Sequence, residues 1–144
     1  MVKHDVTVSR APDRAPVGES EKLTINLGVV DLGQIDLLVQ EGFYANRSDL
    51  IRTAIRNQIA AHADAVRQTV TRRTLALGLH DYSRADLERA QAEGRMVHIH
   101  VVGLARIAPD VSPELARATI QSVVVLGAFQ ASPAVRAALA DRMR

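Results

Sequence analysis

The sequence predicts an α+β chain, in which one short strand and two helices precede a strand–helix unit that occurs twice. Three observations predict it. Residues 22–27, Lys-Leu-Thr-Ile-Asn-Leu, alternate strictly between polar and apolar, the period of a half-buried strand. Two stretches of helical spacing follow, each bounded by residues that start or stop helices. Further on, two apolar runs, Met96–Val102 and Thr119–Leu126, each meet a glycine (Gly103, Gly127), then a short link and a Ser-Pro pair (Ser112-Pro113, Ser132-Pro133). Ser as N-cap and Pro as first helical residue start a helix well.

The elements follow in order. Residues 1–20 hold Pro12, Pro16, Gly18 and charges of both signs without a sustained period, the pattern of a flexible arm. In the strand, Leu23, Ile25 and Leu27 share one face and Lys22, Thr24 and Asn26 the other. Gly28-Val29-Val30 is expected to turn the chain into a helix of about ten residues, capped by Asp31 with Gln34 completing a capping box. Leu32, Ile35, Leu38 and Val39 form its apolar stripe, and Gly42 stands where a left-handed cap ends a helix. Asn46 then caps a second helix with Asp49 in its first turn and Leu50, Ile51, Ala54, Ile55 and Ile59 on one side. Its pattern continues weakly through Val66 to about Arg73 with no Gly or Pro to stop it. Residues 74–95 are expected to be a helical connector: Ser83 caps, Asp86 follows three residues later, and Gly94 stops the helix. The two strand–helix units over 96–144 have glycines 24 residues apart and Ser-Pro pairs 20 apart (127 − 103 and 132 − 112), which indicates an internal duplication.

Composition narrows the function. Hydrophobic residues make up 47% of 144, so a core can form, but aromatics are only 3% and Trp is absent. A base-stacking surface for single strands is therefore not expected. Without Cys there is no disulfide framework, thiolate metal site or Cys nucleophile. No apolar run approaches the ~18 residues of a membrane span, and no signal peptide is evident, which predicts a cytoplasmic protein. The net charge is +2, yet Arg47–Arg73 holds six Arg against Asp49 and Asp64, a local +4. No nucleophile motif, phosphate-binding Gly loop or paired-acid signature appears, so no enzyme and no cofactor are expected.

A strand and two helices in about 40 residues cannot cover the strand's apolar face or pair its backbone. The simplest remedy is the same strand from another copy, antiparallel about a two-fold axis over a four-helix core. The expected dimer core is Leu23, Ile25, Leu27, Leu32, Ile35, Leu38, Leu50, Ile51, Ala54 and Ile55.

On these residues the stretch Glu21–His62 resembles the ribbon-helix-helix module of CopG-type and Arc/MetJ-type bacterial regulators. The resemblance rests on the strand Lys22–Leu27, the short helix ending at Glu41-Gly42-Phe43, and Asn46-Arg47-Ser48 followed by Leu50-Ile51-Arg52-Thr53-Ala54-Ile55-Arg56. It departs from the family after the strand, where Gly28-Val29-Val30-Asp31-Leu32-Gly33 replaces the usual Pro and acidic residues. The resemblance implies a DNA-binding domain over 21–73, with an extended second helix. It implies an intertwined homodimer whose two-stranded antiparallel ribbon enters the major groove of double-stranded DNA. Lys22, Thr24 and Asn26 would then meet base edges, in keeping with the donor and acceptor pattern of that groove. Asn46, Arg47 and Ser48, at a helix N-terminus, would contact phosphate.

The expected function is a sequence-specific transcriptional regulator, a repressor associated with the nucleoid, with 96–144 as an oligomerisation module. Alternatives are a DNA-organising, partition or scaffold protein, and an antitoxin. An antitoxin tail is usually polar and disordered until bound, whereas this one is apolar and patterned. His98 and His100 share one strand face and are weak metal candidates; His4, His62 and His80 lack ligand spacing around them.

Overall fold

The structure, a computed structural model, describes residues 19–144. The arm expected over 1–20 therefore lies almost wholly outside the described residues. The chain divides into two compact units, Met1–Val66 and Arg67–Arg144.

The first unit holds α1 (Val29–Gln40), α2 (Arg47–Ala61) and the start of α3 (Ala63–Arg72). Residues 20–28 ahead of α1 form no hydrogen-bonded strand within the single chain and are exposed throughout. A strand cannot pair with itself, and the ribbon expected over 22–27 finds no partner strand among the described residues. The start of α1 differs from expectation. The N-cap is Gly28, extended and without a side-chain cap, while Asp31 lies in the first turn and Gln34 Nε2 reaches back to Val30 O at 3.4 Å. Val29 and Val30 are helical because Leu32 N–H already closes a turn onto Gly28 O. The stop is as expected. Gly42 has φ +82, Gly42 N–H bonds Val39 O and Phe43 N–H bonds Leu38 O, the paired closure that satisfies the last carbonyls of a helix.

The second helix ends earlier than its sequence pattern. At His62 the backbone leaves helical geometry (φ −105, ψ 17), its N–H bonds Ile59 O and its ring Nδ1 lies 3.0 Å from Gln58 O. A new helix, α3, follows at once. A ring competing for a helix carbonyl ends α2 here without Gly or Pro.

The second unit is a three-fold strand–helix repeat: β1 (Ala76–Tyr82), α4 (Arg84–Ala92), β2 (Val97–Ile107), α5 (Pro113–Thr119), β3 (Ile120–Gln130) and α6 (Pro133–Leu139). The residues expected to be a helical connector thus contain a strand as well as the helix capped by Ser83, and the duplication is a triplication. The strands pair in parallel in the order β1-β2-β3. One extra residue, Gln121, bulges from β3 where Val97 pairs with Ile120 and His98 with Ser122. Each helix starts at a serine whose hydroxyl accepts the backbone N–H three residues on: Ser83 from Asp86, Ser112 from Leu115, Ser132 from Val135.

Glycine marks the same register in all three strands: Gly78, Gly103 and Gly127 lie side by side with φ of +125, +135 and +120. A Cβ on Gly103 would stand 2.2 Å from Gly78 O, and one on Gly127 2.1 Å from Gly103 O. Only glycine admits that approach.

One core serves the unit. Ile99, Val101, Ala105 and Ile107 of β2 and Val123 of β3 pack with Leu87, Ala116, Val135 and Leu139 of the three helices, and Tyr82, Val125 and Phe129 join them. All three helices therefore cover the same sheet face. The chain end is stitched on by Arg142 Nη1 donating to Arg117 O and Ile120 O, and by Arg144 N–H donating to Val123 O.

Candidate nucleic-acid interface

The candidate site begins with the exposed segment before α1. Lys22, Thr24 and Asn26 are exposed, but so are the residues between them: Leu23 at 78%, Ile25 at 52% and Leu27 at 40%. Water on three alternate apolar side chains is unfavourable, at roughly 1.5–3 kcal/mol for each one that could be buried. The expected dimer core is equally open in one chain: Leu32, Ile35, Leu38, Leu50 and Ile51 are half-buried, and Ala54 and Ile55 exposed. No residue of α1 is buried, and in α2 only Ser48 is.

At the start of α2, Asn46 acts as the N-cap, its Oδ1 accepting Asp49 N–H at 2.8 Å, and Asp49 Oδ2 accepts Ala45 N–H at 2.9 Å. The neighbouring residues are placed differently from the phosphate roles expected of them. The Arg47 guanidinium is held by Asp36 of α1, Nε to Oδ1 at 2.7 Å and Nη2 to Oδ2 at 2.8 Å. That hydrogen-bonded pair ties α2 to α1 and pushes the Arg47 pKa further above its ordinary value. Ser48 is buried and its Oγ has no hydrogen-bond partner in the single chain. What the helix start offers to an anion is its backbone N–H groups and dipole, more than these two side chains. The Asp36–Arg47 pair eleven residues apart was not singled out from the sequence; an acid and a base on facing helices give no local signal.

His98 and His100 do share a strand face. Their rings lie edge to face with centroids 5.7 Å apart, and His98 Nδ1 and His100 Nε2 converge on Ser122 Oγ at 2.9 and 2.8 Å. Among the described residues no group of three or more His, Cys, Asp or Glu is gathered to hold a metal ion. No helix among them is long and apolar enough to cross a membrane.

The site thus comprises an exposed alternating segment, a short helix with a glycine stop and an Asn-capped second helix. The profile of the Ribbon-Helix-Helix transcriptional regulator family matches residues 18–136. The chain belongs to that family. The match runs well past the 21–62 stretch that carries the resemblance in sequence and spans most of the strand–helix repeat. Ribbon-helix-helix regulators bind DNA and typically dimerise. No curated protein and no solved structure matches the chain significantly.

Proposed function

We propose that this regulator acts as a homodimer in which residues 22–27 of two copies pair antiparallel and enter the major groove as a two-stranded ribbon, repressing transcription from a specific operator. The observation that carries the reading is the unpaired segment with Leu23, Ile25 and Leu27 in water. Pairing would turn these three inward over α1 and α2 and leave Lys22, Thr24 and Asn26 outward. Lys can donate to guanine O6 or N7, Asn can pair with adenine at two points, and Thr can bond or pack against a thymine methyl. The start of α2, capped by Asn46, would seat a backbone phosphate on its N–H groups and fix the ribbon's register. Because Asp36 holds Arg47, this guanidinium would fix the angle between the two helices. No step in this function calls for catalysis or a cofactor. The strand–helix unit would join copies to one another, which raises avidity for DNA without adding DNA contacts.

The test is the double variant Thr24→Ala, Asn26→Ala, measured by fluorescence anisotropy on operator and unrelated DNA. Base reading predicts a loss of about 1–3 kcal/mol per good contact on the operator and little change on unrelated DNA. Equal losses on both would overturn it.

A further inference from the structure

The sheet of the second unit carries its helices on one face only. Core residues Val101 and Ala105 lie on either side of Gly103, so the alternation of strand faces runs through the glycine row unbroken. The opposite face is then set by register: Leu77, Val102 and Leu126 stand in one row across the three strands. Leu77 is 64% exposed and Leu126 48%, and Leu79, on the same face, 43%, while on the central strand Val102 is half-buried and Leu104 is buried by its neighbours. Parallel sheets occur almost only with both faces covered.

We infer that this open face is closed by the same face of a second copy of the chain. Two features select that occupant. The face suits itself: its acid and base, Asp81 and Arg106, already pair at 2.7 Å, so a two-fold axis brings no net charge onto like charge. The apolar row lies between that pair and the polar His98–Ser122–His100 group, an apolar centre with a polar rim. A second copy is also at hand, since a ribbon dimer tethers two sheets at high local concentration; in this the inference rests on the proposed dimer. The sequence ahead of the ribbon is a poor alternative cover, carrying Lys3, Asp5, Arg10, Asp13, Arg14 and Glu19.

The chain has no Cys, so single thiols can report on the face. In the full chain, Val102→Cys at the centre of the face and Gln91→Cys on exposed α4 are treated without DNA, one sample with a maleimide dye and one with a short bismaleimide. The inference predicts that Cys at 102 labels slowly and is joined into covalent dimers, whereas Cys at 91 labels fast and stays single. Adding Leu77→Lys and Leu126→Lys should restore fast labelling at 102 and abolish the cross-link. Equal labelling at the two sites overturns the inference, and so does slow labelling at 102 without a cross-link, since Val102 is half-buried even in a single copy. DNA retention by the same Val102→Cys protein separates the two readings. A cross-linked protein that retains no DNA counts against the ribbon and for the sheet pairing; one that retains DNA with an open face counts against the sheet pairing alone.

Discussion

Up to Val66 no described hydrophobic residue is buried, whereas thirteen are between Leu87 and Leu139. Both units alternate apolar and polar residues and both hold helices capped by a side chain, Asn46 in the first and Ser83, Ser112 and Ser132 in the second, so local sequence quality does not separate them. The difference is topological. Each strand of the second unit finds a parallel neighbour after a crossover of about a dozen residues. The segment 22–27 of the first unit has no strand neighbour among the described residues of its own chain. In the proposed dimer, a unit whose apolar residues alternate correctly and still face water would be half of an intermolecular core.

The largest expected effect comes from breaking the first unit alone. Ile25→Lys places a charge in the proposed ribbon core. It should lower operator affinity by about 10³-fold or more, to the level of non-specific binding. It should also strip amide-exchange protection from α1 and α2 while leaving β1–β3 protected. Simultaneous loss in both units would show that they fold as one.

The next effect sharpens the account of the sheet. Gly103→Ala adds overpacking against Gly78 O to an unfavourable φ, and should cost about 3 kcal/mol or more in urea unfolding. Gly78→Ala meets open space on the outer edge of β1 and should cost only the strain, about 1–3 kcal/mol. Equal costs would mean that the close approach between strands is not what requires glycine.

These glycines also show where the sequence is legible. Gly103 and Gly127 end apolar runs and were visible as a repeat. Gly78 was not, because the inward positions of β1 are Ala76, Gly78, His80 and Tyr82. An edge strand with small and polar inward residues has no apolar signal of its own, and the first link has Arg84 where the others have Pro. The caps at Asn46, Ser83, Ser112 and Ser132 and the stop at Gly42 are local chemistry and stand where the sequence predicts them. The start of α1 does not: Gly28 caps by backbone conformation alone, while Asp31, the residue whose type suits a cap, lies in the first turn. The break at His62 was equally hidden, since it depends on a side chain competing for one carbonyl. At the candidate site, the alternation of 22–27 was plain, but the Asp36–Arg47 pair and the burial of Ser48 depend on how α1 meets α2.

Smaller effects test the caps and the end of the chain. Ser132→Ala removes the acceptor for Val135 N–H and should cost about 1 kcal/mol in thermal or urea unfolding, with no change in α1 or α2. A full loss of the sheet would mean that α6 nucleates it.

The pH dependence has a definite sign. Asp141 is held below its ordinary 3.8 by its hydrogen bond from Arg117, and Asp86 by its hydrogen bonds with Ser83. Folded values below unfolded ones give stability that is fully present above the unfolded pKa and is lost as pH falls through the folded pKa. Melting temperature should therefore drop on acidification below the ordinary carboxylate range, and Asp141→Asn should flatten that drop. Both groups are exposed, so the effect is small.

The central claim is that the unpaired segment 22–27 becomes a DNA-reading ribbon in a dimer. The most direct measurement is retention of a random genomic fragment pool on the purified full-length protein across a salt series. The account predicts enrichment of one two-fold symmetric motif, with affinity falling as salt rises. No retained DNA even at low salt would contradict it, and would mean that the segment pairs to serve assembly alone.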